Sequence, residues 1–222
     1  MNETAKQYRV LVVDDHPIVR RGFAQLINQE PDITVCAEAE DIAEAVTALE
    51  ACHPDLVIVD IVLKNANGLE LLKRLPSLAP ETKALVVSMH DEQIYAERVL
   101  RAGARGYVMK QEADEVIVTA IRRVLQGGIY VSDQVNERIL MNFAQNQARF
   151  EASPVEFLTD RELEVFELIG QGISTRQIGE RLNISIKTVE TYRARIKEKL
   201  RLESGAELVQ TSVEWAIKKS LT

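Results

Sequence analysis

Five polar residues stand at the ends of short apolar runs, and they carry the chemistry of the first half of the chain. Asp14 and Asp15 follow Val10-Leu11-Val12-Val13, Asp60 follows Leu56-Val57-Ile58-Val59, Ser88 follows Ala84-Leu85-Val86-Val87, and Lys110 follows Tyr107-Val108-Met109. As ends of parallel strands, all five converge on one edge of a sheet, where open α/β folds bind ligands. Three carboxylates in one crevice repel one another and raise one another's pKa unless a cation neutralises them. A hard divalent ion with oxygen ligands, Mg2+, meets that need. Asp60 is then able to attack a phosphoryl group while the ion, Lys110 and Ser88 take up the charge on the phosphoryl oxygens. Taken singly, each residue reads as well as a strand-end cap or a surface ion pair; it is their common register that points to a site.

The elements that must hold this arrangement show as an alternation. The four runs above and Ile33-Thr34-Val35 fit strands buried on both faces of a parallel sheet. Between them lie stretches with helical spacing, such as Ile18, Phe23, Leu26 and Ile27, or Val116, Ile117, Ala120, Ile121 and Val124. Five strands alternating with five helices predict an α/β fold, a five-stranded doubly wound parallel sheet. Breakers fall at Glu30-Pro31-Asp32, His53-Pro54-Asp55, Ala79-Pro80-Glu81 and Gly127-Gly128. After Gly128 the strand signals stop. Val131, Val135, Ile139 and Phe143 recur every fourth residue and predict a connecting helix, and the small, polar stretch from Ala144 to Pro154 reads as a linker.

From Leu158 onward the pattern is helical, a small all-α four-helix domain. Thr159 is the N-cap of its first helix, with Glu162 completing a capping box, and Gly170-Gln171-Gly172 closes it. Ser174 opens a second helix that Asn183 ends, Ser185 opens a third running to about Leu200, and a fourth extends from about Ser204 to Lys218. The expected domains are 8–128, a linker with its helix over 129–156, and 157–219.

Composition narrows the function. No stretch approaches the ~20 apolar residues of a membrane-spanning helix, and Met1 to Arg9 is not a charged tip followed by an apolar run, so a cytoplasmic protein without membrane contact is expected. Cys36 and Cys52 have no CxxC spacing and are too few for a disulfide framework or a metal cluster; they read as buried or incidental thiols in a reducing compartment. No GxxxxGK[ST] or GxGxxG loop is present, which argues against nucleotide use. Residues 1–132 hold 14 Lys/Arg against 20 Asp/Glu, whereas 158–222 hold 11 against 10. Within the second part, Ser185 to Arg201 carries six bases and only Glu190 and Glu198 as acids, a basic segment suited to a polyanion. On its helix, Lys187, Glu190, Thr191, Ala194, Arg195 and Lys197 share the outer face, and a narrow helix with basic edges suits a DNA major groove. Lys187, Thr188, Arg195 and Lys197 are assigned mainly to phosphates and Glu190, Thr191 and Ala194 to base edges, with Arg193 ambiguous and Glu190 equally able to pair with it.

Through VLVVDDHPIVRRG, LVIVDIVLKNANGLEL, ALVVSMH and GARGYVMK, residues 8–127 resemble the receiver domain of bacterial two-component response regulators. That resemblance implies Asp60 as phosphoacceptor, Asp15 binding Mg2+ directly with Asp14 assisting through water, and the Val62 carbonyl as a further ligand. It also implies Ser88 as switch hydroxyl, Lys110 as the phosphate-pairing cation and Tyr107 as a switch aromatic, though a core tyrosine explains Tyr107 as well. One position departs from the family: Lys64 stands where most receivers have proline, either adding charge near the phosphate or simply solvated. Val62, two residues after Asp60, is apolar and cannot orient a hydrolytic water, which predicts slow self-dephosphorylation, while His90 lies near enough in sequence to Ser88 to approach the same water.

Leu158 to about Trp215 resembles the LuxR-type helix-turn-helix, with Tyr192 in place of the family's common histidine. The order of the two parts resembles the NarL/FixJ family of response regulators. The implied function is a DNA-binding transcription factor, not an enzyme, switched by a sensor histidine kinase acting on Asp60. Its implied partners are double-stranded promoter DNA, a second copy in a homodimer when phosphorylated, and RNA polymerase; the fourth helix, with Leu208, Val209, Val213 and Trp215, reads as part core and part pairing surface. Two other readings stand beside it: an aspartate-nucleophile phosphatase, disfavoured because Ile61-Val62 replaces the DxD pattern, and an atypical regulator controlled by a protein partner without phosphorylation.

Overall fold

The computed structural model of the chain describes residues 7–64, 66–144 and 154–220. Asn65 and most of the expected linker, residues 145–153, lie outside the described residues, as does the side chain of Phe143. Two compact units are present, residues 1–145 and 146–222.

The first unit runs β1 (Tyr8–Val13), α1 (Pro17–Ile27), β2 (Ile33–Ala39), α2 (Ile42–Cys52), β3 (Leu56–Val59), β4 (Val62–Leu63), β5 (Ala66–Asn67), α3 (Gly68–Leu78), β6 (Lys83–Ser88), α4 (Glu92–Arg101), β7 (Tyr107–Met109), α5 (Ala113–Leu125) and α6 (Asp133–Ala144). Five strands form one parallel sheet in the order β2-β1-β3-β6-β7. Successive side chains of a strand point to opposite faces, so each strand feeds two cores. Val10, Val12, Leu56, Ile58, Leu85, Val87 and Val108 pack with Phe23 and Ile27 of α1 and with Ile117, Ile121 and Val124 of α5. Leu11, Val13, Val57, Val59 and Val86 are equally buried and, by alternation, face the side covered by α2, α3 and α4. Such two-sided burial is why the strands read as unbroken apolar runs.

Register then aligns the strand ends. Val13 pairs with Ala39 and with Val59, Val59 with Val86, and Ser88 with Met109. The ladder continues one step beyond: the Asp60 amide donates to the Val13 carbonyl at 2.9 Å and the Lys110 amide to the Ser88 carbonyl at 2.9 Å. The expected five strands and helices are all present. One element was not foreseen: β4 and β5, two residues each, form an antiparallel hairpin in which Val62 faces Asn67. The Asn67 side chain then caps α3 by accepting from the Leu69 amide at 2.9 Å.

The helix expected in the connecting segment is α6, and its first turn is packed on α4. Ser132 donates to Glu92 at 2.5 Å, Gln93 to Gln134 at 3.0 Å, and Val135 is buried. Just before it, Tyr130 bridges to Gly106 beside β7.

Among the described residues, the second unit runs from a 3-10 turn (Pro154–Phe157) through α7 (Asp160–Gly170), α8 (Thr175–Arg181) and α9 (Ile186–Leu200) to α10 (Gly205–Ser220). Its helix starts fall where the caps predict. Thr159 with Glu162 and Ser174 with Gln177 both form capping boxes, and Ser185 caps α9. Each such cap contributes about 1 kcal/mol. Leu163, Phe166, Ile169, Ile178, Val189, Ile196 and Leu208 are buried, and Trp215 packs edge-on against Phe166 with ring centroids 5.6 Å apart. Leu208 therefore lies inside, whereas Val209 and Ile217 are exposed.

Candidate functional site

The strand-end residues come together at the sheet edge. Asp14 and Asp60 are buried, at 2% and 4% exposure, and the Lys110 ammonium lies between them, 2.6 Å from Asp14 Oδ2 and 2.7 Å from Asp60 Oδ2. Asp15 is half-buried beside them. Single ligand atoms of Asp14, Asp15, His16 and Asp60 lie within 4.8 Å of one another. Two carboxylate oxygens, Asp15 Oδ1 and Asp60 Oδ1, are buried without a hydrogen-bond partner; His16 Nδ1 reaches Asp15 Oδ1 at 2.7 Å without hydrogen-bond geometry. Orphaned buried carboxylate oxygens are costly to leave bare and match the donors a hard cation prefers, with His16 the one nitrogen donor in the cluster. Val62, whose carbonyl was the expected further ligand, sits half-buried in β4.

Burial pushes the Asp60 carboxyl above the usual carboxylate range, and the neighbouring Asp14 charge adds to it, while Lys110 and the Ser88 hydroxyl pull the other way without cancelling it. Burial lowers Lys110, but Asp60 and Asp14 more than compensate, so it stays firmly protonated. A single cation thus holds two buried carboxylates.

Ser88, fully buried, is the last residue of β6. The His90 amide approaches its hydroxyl at 3.4 Å, and the Tyr107 hydroxyl donates to the His90 carbonyl at 2.6 Å. Tyr107 is 1% exposed, so its ring lies inside, tied to the segment that follows Ser88. The His90 ring stacks at a tilt on Tyr95, centroids 4.7 Å apart.

Three features of this site were not readable as such in the chain. His16, directly after the acid pair in Asp14-Asp15-His16, joins the acid cluster. Lys64 pairs with Glu40 at 2.9 Å, joining the loop after β2 to the β4–β5 hairpin, and Glu40 raises its pKa. Gly68 lies against the phosphoacceptor candidate's own backbone: a Cβ there would be 2.0 Å from the Asp60 carbonyl oxygen. The only hint in the sequence was a glycine after Asn67.

In the second unit, α8 and α9 meet across Leu182-Asn183-Ile184, with Asn183 in the left-handed region at φ 51°. Gly179 makes that turn possible, since a Cβ on it would be 2.9 Å from the Ile184 carbonyl oxygen. Along α9, Val189 and Ile196 face inward, and Lys187, Glu190, Thr191, Ala194 and Arg195 are exposed on the outside. Thr188 is half-buried and engaged with the cap, its hydroxyl 2.8 Å from that of Ser185, and Lys197 is half-buried. Arg193 is 18% exposed at its side chain and approaches Glu190 at 3.7 Å, so the helix pair weighed for Glu190 is formed. Thr191 donates to the Lys187 carbonyl at 2.9 Å. Lys199 is spent internally, on Glu162 at 2.6 Å and the Phe157 carbonyl at 3.2 Å. Burial raises the Glu162 carboxyl, but Lys199 and the Thr159 cap outweigh it and leave it below the usual range.

Comparison with known proteins agrees with both halves. Residues 10–122 match the response regulator receiver domain, and residues 156–212 match the luxR family of bacterial regulatory proteins. The chain is 35% identical over 217 residues to the oxygen regulatory protein NreC of Staphylococcus carnosus, covering 96% of this chain and 98% of that one, and 36% identical over 217 residues to NreC of Staphylococcus aureus at the same coverages. Among solved structures it is similar to the RcsB response regulator of Salmonella typhimurium, with a TM-score of 0.68 and 25% identity over 94% of this chain and 98% of that one. Another RcsB structure, bound to promoter DNA with the phosphomimetic BeF3-, gives a TM-score of 0.65 at 25% identity over 93% of this chain and 98% of that one. The chain belongs to the NarL/FixJ family of two-component response regulators. Receiver and LuxR-type helix-turn-helix together make it a DNA-binding transcription factor.

Proposed function

We propose that Asp60 accepts a phosphoryl group from a sensor histidine kinase and that the aspartyl phosphate controls promoter binding by α9. The observation that carries this reading is the buried Asp60 carboxylate with one unpartnered oxygen, beside Lys110 and within the Asp14, Asp15, His16 cluster. The Asp60 carboxylate attacks phosphorus as the histidine nitrogen leaves, and Lys110 and Ser88 take up charge on the phosphoryl oxygens. Asp14, Asp15, Asp60 and the Val62 carbonyl are the residues to hold Mg2+, which when bound neutralises the carboxylates and the phosphoryl oxygens. Ser88 drawn toward the phosphoryl group shifts the segment to His90, and Tyr107, bonded to the His90 carbonyl, follows. Phosphate acts by binding two existing conformers unequally. The chain itself holds the phosphoryl group, losing it only slowly, and turns over no other substrate.

Incubation with a small phosphodonor and Mg2+ tests this by intact mass, with light scattering on the same samples. The expected result is one phosphoryl group on the wild type, none on Asp60→Ala, and a shift from monomer to homodimer. Absence of uptake under conditions that label an ordinary receiver would sink the reading and favour control by a protein partner.

For the second unit, Lys187, Thr188, Arg195 and Lys197 are the phosphate contacts and Glu190, Thr191 and Ala194 the base-edge residues, with Arg193 held back on Glu190. Promoter DNA is the partner, read by paired copies on two half-sites, with RNA polymerase recruited there in the cytoplasm. The domains proposed are 8–128, a connecting segment over 129–156 that includes α6, and 157–219. Arg195→Ala is expected to weaken binding to every duplex alike and to reduce the slope of log K against log salt by about 1. An unchanged slope in a salt titration would remove Arg195 from the phosphate contacts.

A further inference from the structure

Cys36 and Cys52, sixteen residues apart in sequence, bring their sulfurs to 2.9 Å. Neither is in a disulfide. Cys36 lies on β2, one of the two edge strands of the sheet. In the pairing of β1 with β2, Val10 faces Val35 and Leu11 faces Ala37, so Cys36 is the extra residue of a bulge and has no partner on β1. Bulges re-aim a side chain out of the regular alternation, and here the re-aimed sulfur meets Cys52, the last residue of α2. Cys36 is half-buried and Cys52 is 6% exposed. A small oxidant has a route to the pair at the sheet edge.

We propose that Cys36 and Cys52 are a peroxide-oxidisable thiol pair whose disulfide staples the edge strand β2 to the end of α2. Cys36 S–H donates to the Cys52 sulfur at 2.9 Å and Cys52 S–H donates to the Ala48 carbonyl at 3.0 Å; with the Cys36 proton held in the bond between the two sulfurs, Cys52 is the sulfur that reacts first. The Cys52 sulfur attacks one peroxide oxygen, the O–O bond breaks, and Cys52 sulfenic acid and water (for hydrogen peroxide) are formed. Cys36 sulfur then attacks the Cys52 sulfur, the S–O bond breaks, the Cys36 proton leaves with the hydroxyl as a second water, and the S–S bond closes. Two thiols lose two electrons and the peroxide gains them. Burial pushes the Cys36 thiol up to about 12, with its bond to Cys52 adding to the effect, so Cys36 keeps its proton until the sulfenic acid is in place. In a reducing compartment such a bond is transient, in keeping with a sensing role.

The test uses the full chain treated with hydrogen peroxide, then alkylated under denaturing conditions and digested without reductant. Loss of two hydrogens by intact mass, with one peptide linking Cys36 to Cys52 that dithiothreitol cleaves, is the expected result. Cys36→Ser is expected to stop at a dimedone-reactive sulfenic acid on Cys52. Oxidised wild type is expected to melt several degrees above the reduced protein, because the closed loop restricts the unfolded chain. Recovery of both thiols fully alkylated, or a disulfide only between two chains, would overturn the proposal.

Discussion

Lys110→Met is expected to be the most damaging single substitution in the first unit. Its ammonium is the charge lying between Asp14 and Asp60, at 2.6 and 2.7 Å, with 8% of the side chain exposed. Methionine fills a similar volume but leaves two buried carboxylates facing each other. Removing one partner from a buried ion pair costs about 3–5 kcal/mol, because the remaining charge is neither solvated nor paired. The cost has a pH signature. Asp60 already titrates above its ordinary range through burial, and losing Lys110 removes the largest influence that opposes it. A carboxyl raised in the folded state above its unfolded value gives stability that is fully present below the unfolded pKa and lost as pH rises through the folded pKa. The variant should therefore be closest to wild type near pH 4 and weakest at neutral pH and above.

A divalent cation should repair part of the damage, because it binds the folded acid cluster and not the unfolded chain. Urea melts of Lys110→Met at acid and neutral pH, with and without Mg2+, read both effects. Equal loss at the two pH values, insensitive to Mg2+, would mean that the destabilisation comes from packing rather than from uncompensated charge. Phosphoryl uptake from a small donor should fall about 10²–10³-fold even where the variant is folded, the size expected from losing one charged group at a developing oxyanion.

Why so much of this site was legible, and part of it not, follows from the physics of each residue. A strand covered on both faces must be apolar throughout, so Leu56 to Val59 shows its nature in four letters, and the first polar residue after it marks the strand end. Helix caps are equally local: Thr159 with Glu162, and Ser174 with Gln177, announce α7 and α8 within four residues. What stayed hidden depends on distant pairs. Lys64 meets Glu40 across 24 residues and Lys199 meets Glu162 across 37, and many surface charges of either sign compete for each partner. The basic segment of α9 is consequently less available to DNA than its composition implies, since Lys199 and Arg193 are engaged within the unit. The β4–β5 hairpin was missed because two residues per strand leave no periodicity, and the thiol pair because the bulge at Cys36 shows only in the pairing of β2 with β1.

Gly68→Ala is expected to damage both stability and phosphoryl uptake, although alanine is the better helix former. Gly68 opens α3, and its amide donates to the Ile61 carbonyl at 2.7 Å. A methyl group there would lie 2.0 Å from the Asp60 carbonyl oxygen and 2.8 Å from Val59 Cγ1. The first obstacle is backbone and cannot rotate away, so α3 and the strand end bearing Asp60 must separate by about 1 Å or more. Overpacking of this kind costs about 1–3 kcal/mol. Displacement on that scale also moves Asp60 out of line with Lys110, and positioning errors near 1 Å cost about 10²-fold in rate. Gly22→Ala is the matched control. Gly22 sits inside α1 with nothing within 4 Å of the added methyl group, and there alanine should stabilise by about 0.5–1 kcal/mol. Urea melts and intact-mass phosphorylation of the two variants separate the effects. If Gly68→Ala behaved like Gly22→Ala in both measurements, α3 would have to be free to move, and the close packing of Gly68 would not be what positions Asp60.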